Sequence, residues 1–304
     1  MSKNIKGKSI NVKRTAFIIA MIIIPLTHFL IFYLYVNFNS IIMAFQKYEG
    51  NNPVFTLEHF ARFFAEITDA ESELPSALGN TMAFFCTGLF LIMPVTWFIA
   101  YFLYKKVAGY KFFRVVFFLP SIISAVVLTI IYKDFVGSEG FVSELVRKIG
   151  GEEEVFGLLD QNSGYELKAI ILYTVWTGFG TNLILLGGAM NRIPEEVLEA
   201  GMIDGVGMIR ELFQIILPMV WPTMTTLIVF TFVGIFTASG PILLLAPDNG
   251  NVYTVSYWIF KRVYKGGSAL EYPAAVGLAF TVMAMPIVFG VKAIMEKLQS
   301  ATEY

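Results

Sequence analysis

The sequence predicts an all-α fold: a polytopic membrane protein of six transmembrane helices with a structured cytoplasmic loop. Three observations predict it. Of 304 residues, 56% are hydrophobic and only 15% charged, and the mean hydropathy is +0.67. Soluble domains run at about 45–50% apolar and about 25% charged residues, so this surplus cannot be hidden in one soluble core. Six apolar stretches each reach the roughly 20 helical residues that a bilayer core of about 30 Å requires. Lys and Arg are unevenly divided among the segments between them, as the positive-inside rule describes. The composition excludes a disordered chain. The net charge of −1 gives no sign of a nucleic-acid partner.

The stretches are roughly 15–45, 78–104, 112–132, 169–190, 223–246 and 274–295. The first carries no Asp, Glu, Lys or Arg from Thr15 to Gln46. It is longer than one span needs, so it tilts or extends past the membrane. It follows Lys3, Lys6, Lys8, Lys13 and Arg14, as a signal peptide would. The apolar run is too long for that, and no small-x-small cleavage site follows promptly, which predicts an uncleaved span. The expected organisation is a cytoplasmic N-terminus (1–14), a six-span domain (15–295) containing the loop 191–222, and a cytoplasmic tail (296–304). With the N-terminus inside, the inner segments hold 13 of the 22 Lys and Arg, although the outer segments are longer. Carboxylates split the other way, 7 inside and 16 outside, but they carry little topological weight. The outer loops are about 47–77, 133–168 and 247–273, and Gly150-Gly151-Glu152-Glu153-Glu154 reads as a solvated turn. Pro25, Pro94, Pro120, Pro241 and Pro286 fall within spans, where packed neighbours satisfy the carbonyl that each frees.

Catalytic chemistry is scarce. His28 and His59 are far apart, Cys86 is the only cysteine, and no Cys/His cluster or nucleophile motif occurs. No metal site or disulfide is expected. Gly7-Lys8-Ser9 resembles the tail of a phosphate loop but lacks the upstream glycine. The central part of each span holds no Asp, Glu, Lys or Arg. Ion relays use such groups at depth, although backbone carbonyls can coordinate a coupling ion instead. His28 is the sole ionisable candidate and fits a packing role.

The loop between spans four and five, Asn191–Pro222, carries the most information. Pro194 suits the first position of a helix. Glu195 and Glu196 then complement the helix dipole. Val197, Leu198, Met202 and Ile203 fall near one side, and Glu196, Glu199 and Asp204 point away. Gly205 and Gly207 interrupt the helix, and a second apolar stretch, Ile209–Leu217, ends at Pro218. Two readings remain open: an interfacial amphipathic loop, or a docking element for a cytoplasmic partner. The acidic polar face suits a basic protein better than anionic lipid.

These residues resemble the EAA motif of ABC-importer permeases: E-A-A, three residues, G, nine residues, I-x-L-P. Glu199, Ala200 and Gly201 stand for E-A-A. Asp204-Gly205 and then Ile215, Leu217 and Pro218 complete it. Gly201 in place of the second Ala is the one departure. It loosens the helix by about 1 kcal/mol relative to Ala but keeps a small residue there. Phe118-Leu119-Pro120-Ser121-Ile122-Ile123-Ser124 resembles the L-P-x-x-x-S stretch of the family, and Trp176-x-Gly178-Phe179-Gly180 its span-four segment. Ser239–Leu245 and Tyr253–Phe260 resemble the end of span five and the following loop, where Ala246-Pro247-Asp248-Asn249-Gly250 departs from the usual G-G-P. The aromatic-rich beginning is similar to the maltose-F or glycerol-phosphate-A type.

The resemblance implies a non-catalytic permease subunit of a carbohydrate importer, for an oligosaccharide, in the bacterial cytoplasmic membrane. It implies a second permease, two ATPase subunits and an extracellular solute-binding protein as partners. ATP and Mg would be bound by the ATPase and not by this chain. It gives residues 199–218 the role of a coupling helix and its support. The alternatives are an ABC permease for a non-sugar solute and an ion-coupled carrier. In span four, Thr174, Thr177, Gly178 and Thr181 share one helical face. They line a solute path or pack against a neighbouring helix. Thr231 in span five is a weaker candidate of the same kind.

Overall fold

The computed structural model describes residues 12–50, 52–150, 157–160, 163–237, 239–265 and 269–302. Gly7-Lys8-Ser9 and most of the Gly150–Glu154 run lie outside these. The described chain is helical except for a hairpin of β1 (Gln46–Glu49) and β2 (Asn52–Phe55), paired antiparallel with Gln46 opposite Phe55.

Five helices are long and apolar enough to cross a membrane: Lys13–Ala44, Glu73–Tyr104, Glu166–Met190, Met208–Val233 and Glu271–Gln299. Tyr110–Ile122 and Ala125–Ile149 form a pair bent by 108°, the geometry of a broken span, which would make a sixth crossing, or of a re-entrant loop. The first two helices have 32 residues each, about 48 Å at 1.5 Å per residue. That exceeds the hydrocarbon core, so their ends stand out of it or the helices tilt.

Three expectations change. The third stretch is not one straight helix: it breaks between Ile122 and Ala125, just after Pro120, whose ring opens the hydrogen-bond ladder behind it. The fifth span is shifted. It begins at Met208 and ends at Val233, not 223–246. The stretch Ile209–Leu217 is therefore the start of the span and not a separate surface helix. Pro218 is tolerated because a π-helical turn, Glu211–Ile216, runs directly into it. Ile242–Leu245, expected at the end of that span, is a separate one-turn helix preceded by Pro241. The loops expected outside are also structured, with helices Glu58–Thr68, Phe141–Gly150 and Val255–Lys265.

The second and fourth spans contribute to both of two hydrophobic clusters, while buried residues of the third belong to one and those of the fifth to the other. One cluster gathers Phe63, Leu74, Tyr132, Tyr173, Trp258 and Phe280 at the end that holds the hairpin and the 247–265 segment, called here the loop end. The other gathers Trp97, Tyr101, Leu186, Met190, Leu212 and Ile216 at the end that holds residues 191–207, the motif end. The first span stands apart. Residues 13–42 are exposed throughout, and the end of the span, Val36–Ala44, packs on the sixth span with Ala44 buried. His28 is exposed and lies 4.9 Å from the Phe32 ring, and Cys86 is exposed as well.

Candidate functional site: the 195–218 loop and a threonine-lined cavity

The motif loop begins with Pro194 in extended geometry, one residue ahead of the first helical position. Glu195 and Glu196 occupy the first turn of the helix Glu195–Ile203. The helix stops in a Schellman motif. Gly205 sits at φ +70°, its N–H donates to Met202 O at 3.1 Å, and the Val206 N–H donates to Gly201 O at 2.9 Å. Glycine takes this left-handed position without strain. The spacing between Glu199 and Gly205 is thus the length of the helix plus its stop.

Gly201 is buried and faces the next element. A Cβ there would lie 2.8 Å from Ile215 Cδ1. Two motif positions fourteen residues apart therefore meet, and the departure from Ala makes room for Ile215. Leu198 packs on the motif-end cluster. Glu199, Ala200, Asp204 and Gly205 are exposed, and the apolar tip is bare: Met202 is 60% and Ile203 86% exposed. Leu217 and Pro218 are half-buried in the fifth span.

An ion pair ties this loop to the rest of the bundle. Lys105 Nζ lies 2.8 and 3.0 Å from the two carboxylate oxygens of Glu211, which is buried. Beside it, Tyr101 OH donates to Met208 O at 3.3 Å. Lys105 ends the second span and Glu211 opens the fifth. The sequence analysis did not single out Glu211. An acidic residue preceding a long apolar run, one helical turn from Gly207, was the available signal.

The candidate path residues separate. The fourth span breaks at Gly178–Phe179, so Thr181 starts a new helix and is exposed. Thr177 bonds back to Tyr173 O. Gly178 is a close-contact position, where a Cβ would lie 2.9 Å from Ile92 Cδ1. Thr174 and Thr231 do meet. They line one cavity of about 240 Å³ together with Thr81, Phe84, Phe85 and Gly88. Thr81, Phe84 and Phe85 come from the second span, which the sequence analysis had not connected with the path.

The loop end closes over this cavity through long-range bonds. Asn80 Nδ2 donates to Asn251 O and Tyr253 O at 2.8 and 2.9 Å, and the Val255 N–H donates to Thr81 Oγ1 at 2.9 Å. The Ala246–Gly250 departure supplies the anchors. Pro247 O accepts from Tyr253, Tyr257 and Lys261, and Asp248 accepts from Lys261 Nζ at 2.5 Å. That hydrogen bond holds the Asp248 carboxyl below its ordinary range and the Lys261 ammonium above its own.

Residues 92–304 match the family described as binding-protein-dependent transport system inner membrane component. The probable ABC transporter permease protein YesP of Bacillus subtilis (strain 168) is 26% identical over 206 residues, covering 66% of each chain. The sn-glycerol-3-phosphate transport system permease protein UgpA of Shigella dysenteriae serotype 1 is 26% identical over 186 residues, covering 61% of this chain and 62% of that one. The chain spans just under two thirds of the length of these curated relatives. The crystal structure of a bacterial ABC transporter involved in the import of the acidic polysaccharide alginate superposes with a TM-score of 0.80 at 22% identity, over 94% of this chain and 97% of that one. The same transporter with an alginate pentasaccharide-bound periplasmic protein also gives 0.80, over 95% and 97%. At this identity the structural match shows the fold, which is the all-α membrane fold the sequence predicts. With 213 of 304 residues inside the family match, the chain belongs to the family of binding-protein-dependent transport system inner membrane components.

Proposed function

We propose that the chain is the transmembrane permease subunit of an ATP-driven, binding-protein-dependent importer of carbohydrate, with an oligosaccharide as the solute. One observation carries the coupling part of this reading. The helix Glu195–Ile203 is short, rigidly stopped, braced from behind through Gly201 on Ile215, and bare at its acidic and apolar tip. A braced knob with an exposed Met202–Ile203 tip and Glu199 beside it suits insertion into a groove of a partner protein. The partner is the ATPase, one of two copies, which binds the ATP and Mg. This chain catalyses no reaction.

A second, different permease completes the path, and an extracellular binding protein delivers the solute at the loop end. Both termini are then cytoplasmic, and the motif end faces the cytoplasm. The solute class is supported by sn-glycerol-3-phosphate and alginate, the solutes named for UgpA and for the structural neighbour. The cavity that joins Thr174 and Thr231 to Phe84 and Phe85 is the part of the path lined by this subunit. Its wall is mostly apolar, with ring faces for sugar C–H faces, and the Thr174 and Thr231 hydroxyls, which donate to their own helices, are left to accept from sugar hydroxyls. Closure of the ATPases on ATP pushes the knob. The push passes through Ile215 and the Lys105–Glu211 pair into the fifth and second spans.

Proteoliposomes holding the whole complex test this, with ATP inside and binding protein and labelled oligosaccharide outside. Uptake should require both ATP and binding protein. Gly205→Pro removes the left-handed stop and the N–H bonded to Met202, and Glu199→Lys reverses the charge beside the tip. Both should abolish uptake while the chain still inserts and the ATPase still turns over. Normal uptake in both variants would sink the coupling assignment. Ionophore-sensitive uptake without ATP would point to an ion-coupled carrier instead.

A further inference from the structure

Three central spans interrupt their helices at one level of the bundle, and the fifth span ends at that level. The second span passes through a π-helical turn at Thr87–Ile92. The third breaks between Ile122 and Ala125. The fourth stops at Thr177 and restarts at Gly180. The fifth ends at Val233, next to Gly234. Direct contacts join these interruptions sideways. A Cβ on Gly178 would lie 2.9 Å from Ile92 Cδ1, one on Gly180 2.5 Å from Ser121 Cβ, and one on Gly88 3.8 Å from Thr231 Cγ2. This level is also where the two hydrophobic clusters meet. Leu128 and Tyr173 belong to one, and Ile92 and Phe179 to the other. The cavity that holds Thr174 and Thr231 sits in the same layer.

The layer has the chemistry of a joint. Close-packed clusters resist deformation and tend to move as units. Motion between them concentrates where the helical ladder is already open. An open ladder in an apolar setting needs its carbonyls satisfied. Hydroxyls in the layer bond back into their own turns. Ser121 Oγ donates to Phe118 O at 2.7 Å, Thr87 to Ala83 O at 2.8 Å, Thr174 to Ile170 O at 2.9 Å and Thr177 to Tyr173 O at 3.0 Å. These bonds are local, so they survive a change of angle between the two halves. The sixth span crosses the layer as one helix, Glu271–Thr302. It packs Tyr272 and Phe280 into the loop-end cluster, and Met295 O accepts from Trp221 Nε1 in the other half. It serves as the strap.

We propose that Ser121 and Gly180 form the bearing of a hinge on which the motif end swings against the loop end, opening the threonine-lined cavity to each side in turn. They are positioning residues and need not touch solute. This rests on the transporter reading above. It adds to that reading which residues carry the motion: two motif segments, L-P-x-x-x-S and W-x-G-F-G, touch at the pivot.

The bearing predicts a compensating pair. Gly180→Ala places a methyl against Ser121 Cβ and Oγ but 3.7 Å from Ser121 Cα, an ordinary contact. In the complete complex, Gly180→Ala should lower ATP-driven uptake about tenfold by overpacking the contact. Adding Ser121→Gly should restore most of it. Spin labels then read the motion directly in a Cys86→Ser background. Positions 126 and 185 lie on opposite sides of the layer, 126 and 264 both on the loop-end side, and 185 and 213 both on the motif-end side. Between nucleotide-free and ATP-bound complexes, the 126–185 distance should change and the other two should not. Uptake that continues with a constant 126–185 distance would overturn the hinge and leave the transporter reading standing. So would normal uptake in Gly180→Ala, or a Gly180→Ala/Ser121→Gly complex that assembles but stays inactive. A labelled complex without any ATP-dependent uptake would overturn both.

Discussion

The two ends of the bundle are held together in different ways. At the motif end the functional element is local. The stop at Gly205 bonds to residues three and five positions away, and Gly201 meets Ile215 fourteen positions on. Two longer ties, Lys105 to Glu211 and Tyr101 to Met208, span 106 and 107 positions between the same two segments. At the loop end the ties are remote. Asn80 reaches residues 171 and 173 positions away, Val255 reaches Thr81 across 174, and Tyr272 reaches Glu66 across 206. A self-contained loop can be pushed as one piece. A cap sewn to several spans holds them in register. The difference fits the proposed input at one end and the proposed entrance at the other.

The largest expected effect tests the charged long tie of the motif end. Lys105→Met leaves the buried Glu211 carboxylate without its partner and should cost about 3 kcal/mol. It should appear as a lower thermal midpoint of the detergent-solubilised complex. Lys105→Met with Glu211→Leu should recover much of that loss, because it removes both charges. Next comes the loop end. Asn80→Ala removes two hydrogen bonds to the 251–253 backbone and should cost about 2 kcal/mol. Proteolysis should then cut first within 247–265. If it cuts first within 191–207 instead, the two ends are coupled more tightly than the contacts indicate. Gly205→Ala puts a Cβ on a left-handed residue and should cost about 1 kcal/mol, with faster hydrogen exchange confined to 199–207.

The smallest effect is at Asp248. Its pair with Lys261 is solvent-facing, and exposed pairs contribute little. The carboxyl is held low in the folded chain, so its contribution is present above the ordinary carboxylate range. It is lost as pH falls through the lowered value. Asp248→Asn should remove that small acid sensitivity and lower the neutral-pH midpoint only slightly. A clear drop at neutral pH would make this loop more than a surface clamp.

Legibility in the sequence follows the same division. The helix, its glycine stop and the Ile215-x-Leu217-Pro218 support lie in one stretch, so their spacing could be read directly. Five of the span positions were readable because apolar length is a property of a contiguous segment. The fifth span was read too late. Glu211 and Pro218 look like breaks in an apolar run, yet the ion pair with Lys105 and the π-helical turn absorb them. The break at Gly178 turned one expected threonine face into two helices. Thr174 then met Thr231 and the second span, an encounter between distant segments that no local pattern encodes. The same holds for Asn80, an unremarkable asparagine in sequence that pins the 251–253 backbone.

The central claim is that the bare tip at Met202–Ile203 is where the ATPase pushes. The most direct measurement is a single cysteine at position 203, made in a Cys86→Ser background and cross-linked in native membranes, with Tyr264→Cys as the loop-end control. Position 203 should cross-link to an ATP-hydrolysing subunit identified by mass, and that subunit should shield it from a polar maleimide, while position 264 does neither. A position 203 that stays freely labelled and joins no ATPase, in membranes that still take up the oligosaccharide, would contradict the account.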